Sequence, residues 1–183
     1  MLMKVILFSI ALLTAAPVAS AGQDSTTHAA SLVSAAATDI AESGPTVVAD
    51  AVISHIDTKA IANFTLGRHG RSISESDKAR FTAALESFLR RQIALNAHQF
   101  SGVRVDVLDT AARNARDAIV TTQIHGAGAP LKVRWRVIER GGEWAVVDLE
   151  LAGIWLAIEQ RAQVAAILSR PGADIDDVIA QFG

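Results

Sequence analysis

The sequence contains no cysteine, so neither a disulfide nor a thiolate metal ligand contributes to its stability or chemistry. It contains no tyrosine either, which removes the usual phenolic proton donor from any candidate active site. Positive charge is not in excess, because 17 lysines and arginines face 19 aspartates and glutamates, for a formal net charge of -2. Nucleic-acid binding draws on clustered positive charge, so this balance argues against a nucleic-acid partner.

Long apolar runs are scarce, and the clearest one lies at the amino terminus. It follows Lys4, covers residues 5–13, and leads to the small-residue triplet Ala19-Ser20-Ala21. This order is typical of a secretory signal peptide, and the apolar core is too short for a bilayer span of about 20 residues. We expect residues 1–21 to be a signal peptide and residues 22–183 to form one exported domain. The absence of disulfides then favours a bacterial periplasm.

Helical patterns fill the first half of the expected domain. Residues 25–42 are rich in alanine and end at Ser43-Gly44-Pro45, which predicts a helix stop. Residues 46–66 repeat apolar side chains every four positions, which predicts a second helix with one apolar face. The positions that define this face are Val48, Val52, Ile56 and Ala60.

The longest predicted helix starts at Ser74, because Ser74 and Asp77 have the spacing of an amino-terminal cap. Its apolar stripe consists of Phe81, Leu85, Phe88 and Leu89. Continued toward the carboxyl end, the stripe meets Gln92, Asn96 and Gln99, so the face that we expect to be buried turns polar there.

Alternating apolar and polar residues follow in four segments, residues 103–109, 118–126, 131–139 and 143–153. Short linkers separate them, which predicts a four-stranded antiparallel meander. The helical pattern then returns, and Asp174 can cap a last short helix that ends near Phe182. The predicted fold class is therefore α+β, with the meander packed against amino-terminal and carboxyl-terminal helices.

Motifs for catalysis and metal binding are weak. The five histidines are dispersed and form no His-x-x-x-His pair, so no metal site is predicted. No Gly-x-Ser-x-Gly elbow is present. Asp106 and Asp148 lie on predicted strands, and such a carboxylate facing an apolar cavity could serve as a general base with a raised pKa. A small cone-shaped isomerase-like enzyme therefore stays an alternative.

Three segments carry a resemblance to a known family. They are "IDTKAIANFTLGRHGRSISESDKARFTAALESFLRR", "GEWAVVDLELAGIWLAIEQRAQVAAIL" and "GADIDDVIAQF". In this order they resemble the MlaC-like, or toluene-tolerance, family of periplasmic phospholipid-binding proteins. The family commonly has tyrosines near Gln92 and Asn96, whereas this chain has none. A variant associated with hopanoid lipids is therefore a further alternative.

The resemblance implies a lipid carrier that has no chemical step and needs no cofactor. Acyl chains would occupy an apolar cavity between the helices and the sheet. Because Gln92, Asn96 and Gln99 continue the apolar stripe of the long helix, we expect them to lie near the mouth of this cavity. The implied partners are a phospholipid, an inner-membrane ABC transporter complex and an outer-membrane lipoprotein complex. The remaining candidate lipid-binding residues are Val48, Val52, Ile56, Phe64, Phe81, Leu85, Phe88, Val105, Val107, Val133, Trp135, Val137, Val147, Leu149 and Ile154.

The stretch from Leu66 to Ser72, "LGRHGRS", has two interpretations. Its glycines lie between two predicted helices and not after a strand, which is unlike a phosphate-binding loop. Gly67 would end one helix in a solvated corner. Alternatively, Arg68 and Arg71 would meet a lipid phosphate or an acidic partner at the mouth of the cavity.

The pairing of the last two strands follows from their charges. A two-residue loop at Gly141-Gly142 would place Trp135 opposite Asp148 and put carboxylates on the apolar face, at a desolvation cost of several kcal/mol. A three-residue loop, or an equivalent bulge, shifts the pairing by one residue and aligns Trp135 with Leu149. The shifted register also predicts Val137 opposite Val147, Val133 opposite Leu151 and Arg134 opposite Glu150. Arg136 then lies opposite Asp148, which is expected to be a surface partner of that arginine.

Overall fold

The computed structural model describes residues 20–44, 46–97, 102–126 and 128–182, with side chains from residue 24 onward. The predicted signal peptide lies outside these residues, apart from the backbone of Ser20 and Ala21. Gln99 of the polar helix end also lies outside them. Among the described helices, none has the length and apolar character that crossing a membrane requires.

The described residues form six α-helices and one antiparallel sheet. The helices are α1 (Ser20–Glu42), α2 (Val48–Ser54), α3 (Thr58–Leu66), α4 (Glu75–Leu95), α5 (Leu156–Leu168) and α6 (Ile175–Phe182). The strands are β1 (Arg104–Asn114), β2 (Asp117–His125), β3 (Leu131–Arg140), β4 (Glu143–Leu151) and β5 (Ile154–Trp155), and they pair in chain order. This arrangement confirms the α+β class. The sheet has one short strand more than predicted.

The single helix predicted for residues 46–66 is wrong, because the chain breaks between α2 and α3. At the break Ile56 forms a parallel bridge with Val146 of β4. The Asp57 N–H donates to the Val146 carbonyl at 2.9 Å, and the Val146 N–H donates to the His55 carbonyl at 3.2 Å. Asp57 then caps α3 by accepting from the Ala60 N–H at 2.8 Å. Pairing with the sheet edge has therefore overridden the helical periodicity.

Two predicted helix starts are confirmed by their caps. Ser74 Oγ accepts from the Asp77 N–H at 3.1 Å at the start of α4. Asp174 Oδ1 accepts from the N–H groups of Asp176 and Asp177, at 2.8 and 3.3 Å, at the start of α6. These short-range signals were readable because each cap involves residues two or three positions apart.

The largest core cluster fills the space between α1 and the sheet. Trp135 is buried there, and its indole Nε1–H donates to Thr122 Oγ1 at 2.8 Å. The polar atom of the indole is thereby satisfied inside the core. The buried members of the cluster are Ala29, Val33, Ala118, Val120, Val133, Trp135, Val137 and Val146.

A second cluster joins α3, α4, α5 and α6. The Phe182 ring packs edge-on against Phe81 and Phe88, with ring centroids 5.4 and 5.3 Å apart. A third, smaller cluster joins α1 and α2 to the residues that follow α4, through Ile40, Val48 and Ala97. The second cluster lies apart from the one under α1, so a boundary runs between the sheet and the helices. Its buried members are Ala62, Leu66, Phe81, Leu85, Val164, Ile167, Val178 and Phe182.

The β3–β4 hairpin contains a bulge, which keeps Trp135 from pairing with Asp148. Its loop is the two-residue Gly141-Gly142, and Arg140 pairs with Glu143. An irregularity between Arg136 and Val137 then shifts the pairing by one, and Trp135 lies opposite Leu149.

The bulge was one of the two predicted solutions, and most of the predicted pairs are confirmed. Arg134 lies opposite Glu150, Arg136 opposite Asp148 and Val133 opposite Leu151. One predicted pair is wrong, because Val137 faces Val146 and Val147 is the extra residue.

The hairpin turn generates a prediction about stability. Gly141 and Gly142 have φ angles of 63° and 90°, the left-handed conformation that a tight two-residue turn requires. We expect Gly142→Ala to lower the free energy of unfolding by about 1 to 2 kcal/mol, because a side chain is disfavoured at this φ. Urea unfolding measures the change. Gly128→Ala is the matched control, since Gly128 lies outside the left-handed region with open space around it. A loss no larger than that of the control would contradict the prediction.

Candidate functional site

An apolar pocket lies at the boundary between the sheet and the helices. Its walls come from the α2–α3 linker, α3, α4, β4 and the first turns of α5. Its volume is about 60 Å³, which corresponds to about two water molecules. The lining residues are Ile56, Ile61, Leu85, Leu89, Val146, Asp148, Leu149, Leu156, Ala157 and Gln160.

Asp148 is one of two polar side chains on the wall of the apolar pocket. It lies opposite Arg136 as predicted, but the expectation that it is a surface partner of that arginine is wrong. The carboxylate is buried, with 7% of its residue exposed. The Arg136 guanidinium instead donates to Asp117, at 2.9 and 3.3 Å. The side chain thus occupies the buried position that the enzyme alternative requires.

The contacts of Asp148 are those of a helix cap supplied from a neighbouring strand. Its Oδ1 accepts from the Ala157 N–H at 2.9 Å and from the Leu149 N–H at 2.8 Å. Trp155, which precedes α5, provides no side-chain cap of its own. Burial raises the pKa of Asp148 above its ordinary value, while the two backbone donors and the charge of Arg136 oppose the shift. Asp148 therefore joins β4 to α5.

Gln160 is the second polar side chain on the wall. Its Oε1 atom is buried and has no hydrogen-bond partner among the described residues. An unpaired buried acceptor of this kind costs about 1 to 3 kcal/mol. The apolar pocket therefore contains one acceptor that a ligand or water donor can satisfy.

A second and larger cavity, the polar cleft, lies at the hairpin end of the sheet. Its volume is about 390 Å³. Arg140 and Asp57 pair across it at 3.3 Å, and the Trp144 ring stacks on His28 with centroids 6.1 Å apart. Ile56 lines both cavities, so the two are neighbours. The lining residues are Leu32, Ser54, His55, Ile56, Asp57, Ile138, Arg140, Glu143, Trp144 and Ala145.

The sequence profile of the family described as MlaC protein matches residues 27–183. The chain belongs to the MlaC family. No curated protein matches the sequence.

The fold is similar to that of a solved structure, the phospholipid-binding protein from Ralstonia solanacearum in complex with a phospholipid. The TM-score is 0.73, and the match covers 86% of this chain and 94% of that chain. The two sequences are 18% identical. At this identity the likeness establishes a shared fold for the MlaC-family chain.

The predicted lipid-binding residues are distributed over several environments. Three of them line the apolar pocket, namely Ile56, Leu85 and Leu149. Others are packed into the core clusters, namely Val48, Val52, Phe81, Phe88, Val133, Trp135 and Val137. Val147 is buried at the bulge and Val105 is half-buried, whereas Phe64, Val107 and Ile154 are exposed. Lipid contact by these residues stays a prediction.

The polar end of α4 lies apart from both cavities. Gln92 is exposed, and Asn96 is half-buried with its amide donating to the Gln92 carbonyl at 2.8 Å. Neither residue lines the apolar pocket or the polar cleft. Their expected position near a cavity mouth stays a prediction that depends on how the cavity opens.

The candidate lipid-binding set omitted several wall residues. Leu89 was visible on the apolar stripe of α4. Ile61 was obscured because the helix break at residues 55–57 changes which face of α3 is buried. Gln160 gave no signal, since an isolated glutamine in a helical pattern usually lies in solvent. Within the described ranges, no group of three or more His, Asp or Glu side chains is placed to hold a metal ion.

The burial of Asp148 generates a prediction about pH. A raised pKa means that the folded chain holds the proton more tightly than the unfolded chain, so stability falls as pH rises from the ordinary value of 3.8 through the raised one. Asp148→Asn keeps an acceptor and removes the charge. As pH rises through this window, we expect the unfolding free energy of Asp148→Asn to increase relative to that of the unsubstituted protein. Asp109→Asn, at an exposed position of β1, controls for the lost charge. A difference that does not vary with pH would reject the prediction.

The unpaired acceptor generates a second prediction at this site. Gln160→Leu has a similar size and removes the buried polar atom, so we expect the free energy of unfolding to rise by about 1 kcal/mol. Thermal and urea unfolding measure the change. Gln163→Leu is the control, because Gln163 lies on the exposed side of α5 with its amide donating to Glu159 at 3.3 Å. Destabilisation by Gln160→Leu would show that the amide has a partner in solution.

Proposed function

We propose that this MlaC-family chain is a lipid carrier that binds the acyl chains of a phospholipid at the boundary between its sheet and its helices. The observation that carries the proposal is the apolar pocket between β4 and the helices, in a fold shared with a phospholipid-bound protein. Its aliphatic wall suits acyl chains, since apolar burial contributes about 25 cal/mol per Å².

Entry of a lipid requires the pocket to enlarge. At about 60 Å³ it is well below the roughly 300 to 1,000 Å³ of typical ligand sites. We propose that β4 moves away from α3 and α4 at the pocket, while the second core cluster keeps α3, α4 and α5 together. Leu156, which lines the pocket and is 40% exposed, would lie at the entrance.

The polar atoms on the wall suggest how a bound lipid is oriented. Gln160 Oε1 offers an acceptor to a water molecule that also donates to an ester carbonyl of the lipid, because the glycerol region of a phospholipid has acceptors and no donors. Asp148 would contribute less, because its Oδ1 already accepts two backbone hydrogen bonds. The headgroup itself would remain in water.

The proposed biological role is transport through the periplasm. The carrier would exchange lipid with an inner-membrane ABC transporter complex and an outer-membrane lipoprotein complex, by binding and release alone. Membership of the MlaC family supports this role. The hopanoid-associated variant differs only in its ligand, so the same identification of bound lipid distinguishes it.

An enzyme with Asp148 as general base is the second candidate. The burial of this carboxylate in the wall of the apolar pocket, with a raised pKa, favours it. The capping hydrogen bond to Ala157 favours a structural role instead. Asp148→Asn separates the two, because a carrier would keep its lipid occupancy while an enzyme would lose turnover.

The test is the lipid content of the mature protein, extracted without detergent and analysed by mass spectrometry. We expect phospholipid in stoichiometric amount. Leu149→Phe adds volume to the wall of the apolar pocket, and we expect it to lower lipid occupancy several-fold. The midpoint of thermal unfolding should change by only a few degrees, because overpacking costs about 1 to 3 kcal/mol.

Leu131→Phe is the matched control for this experiment. Leu131 is the same residue type at the exposed start of β3, outside both cavities. Its variant should retain the occupancy of the unsubstituted protein. Finding no lipid in the unsubstituted protein, or equal occupancy in both variants, would remove the proposed binding site.

A further inference from the structure

The corner between α3 and α5 carries a cluster of three arginines, which we call the basic corner: Arg68, Arg71 and Arg161. Arg68 and Arg71 belong to the 3₁₀ helix Gly67–Arg71 that follows α3. In a 3₁₀ helix, side chains three positions apart lie on the same face. Both arginines are exposed, so two guanidinium groups project from one face of this short helix.

Arg161 of α5 completes the basic corner from a different part of the chain. A Cβ atom added to Gly67 would lie 2.9 Å from Arg161 Nε, so the guanidinium rests against the first residue of the 3₁₀ helix. The φ of Gly67 is 54°, a conformation that favours glycine. Glycine at this position therefore lets the third arginine approach the other two.

The positive charge of the basic corner is not neutralised within the described part of the chain. Arg68, Arg71 and Arg161 form none of the ion pairs there, although most other arginines do. The carboxylates that follow the corner already have their own partners, since Glu75 pairs with Lys78 and Asp77 with Arg80.

Glu159 is the acidic residue closest to Arg161 along α5. It lies two positions earlier, roughly 200° around the helix, and therefore on another face. A protein with a net charge of -2 thus displays a local excess of positive charge.

Apolar side chains lie exposed beside these charges. Phe64 is 37% exposed, and the Arg161 guanidinium lies over its ring, 5.0 Å from the centroid. Ile158 is 55% exposed and precedes Arg161 by three positions, which places the two side by side on α5. Protruding apolar side chains next to unpaired cations are typical of surfaces that insert shallowly between anionic lipid headgroups.

We propose that the basic corner docks the protein on an anionic phospholipid bilayer. The guanidinium groups would bind lipid phosphates, and Phe64 and Ile158 would enter the headgroup region. This goes beyond lipid binding in the apolar pocket, because it assigns the surface that meets a membrane.

The basic corner and the apolar pocket are close together. Gln160 lines the pocket, while Arg161, the next residue, belongs to the corner. Successive helical residues lie on adjacent sides of a helix about 10 Å across. A bilayer at the corner would therefore lie about one helix diameter from the pocket.

The test is binding of the mature protein to phosphatidylcholine vesicles with and without phosphatidylglycerol, measured by cosedimentation. We expect phosphatidylglycerol to strengthen binding at least about tenfold at low salt, with the gain lost as salt increases. The triple variant Arg68→Gln, Arg71→Gln, Arg161→Gln should lose this gain. The three corresponding Arg→Lys substitutions should keep most of it, because they retain the charge.

Two controls separate the basic corner from net charge and general hydrophobicity. Arg104→Gln, Arg116→Gln and Arg170→Gln together remove the same charge from exposed positions elsewhere, and should bind like the unsubstituted protein. Ile158→Ser should weaken vesicle binding, whereas Leu131→Ser at another exposed apolar position should not.

The outcomes that overturn the proposal are distinct from those that overturn the lipid carrier. Equal binding by the corner and control triple variants would reject the basic corner. Failure of the unsubstituted protein to bind either kind of vesicle would reject membrane docking and favour an acidic protein partner. Lipid occupancy is measured separately, so an empty pocket with intact vesicle binding would reject the carrier alone.

Discussion

The bulge in β4 is the feature on which the rest of the structure depends. A two-residue turn at Gly141-Gly142 and a one-sided apolar face cannot coexist in a regular β3–β4 hairpin, because Trp135 would face a carboxylate. The extra residue, Val147, restores the apolar pairing and leaves the turn tight. The residues on either side of it then connect the sheet to the helices. Val146 pairs with the α2–α3 linker, and Asp148 caps α5.

The boundary between sheet and helices is held by few polar contacts and contains an unsatisfied acceptor. The linker hydrogen bonds around Val146 and the Asp148 cap are local, while the rest of the apolar pocket is formed by aliphatic side chains. Aliphatic surfaces can separate and be covered again by an acyl chain at little net cost, since one apolar contact replaces another. A buried carboxylate and an unpaired glutamine oxygen lower the stability of the ligand-free fold. Occupation of the pocket by the proposed lipid, together with a water that satisfies the Gln160 oxygen, would offset part of this cost.

Charge is distributed in two ways over this protein. Most guanidinium groups are matched to nearby carboxylates, as Arg134 is to Glu150 at 2.6 Å and Arg136 is to Asp117 at 2.9 Å. Such pairs fix local geometry and contribute little to long-range attraction. The basic corner differs because its three guanidinium groups are matched by no carboxylate in the described residues. One helix, α5, connects the two sites, because its first turns line the apolar pocket and its flank carries Arg161.

The sequence by itself determined the features that depend on neighbouring residues. Ser74 and Asp174 cap their helices within three positions, and alternation along β3 and β4 predicts most of the cross-strand pairs between them. The one-residue shift in pairing was predictable, as a three-residue loop or a bulge, because a regular hairpin with a two-residue turn would place Trp135 opposite Asp148.

Only the tertiary structure decided what depends on distant segments. The helix breaks at Ile56 because a sheet edge is available there to satisfy its backbone. Asp148 is buried because the start of α5 packs against it and donates a hydrogen bond to it. Gln160 lines a pocket because residues of α3, α4 and β4 pack around it. Local periodicity records which face of an element is apolar, but the partner that covers this face comes from elsewhere in the chain.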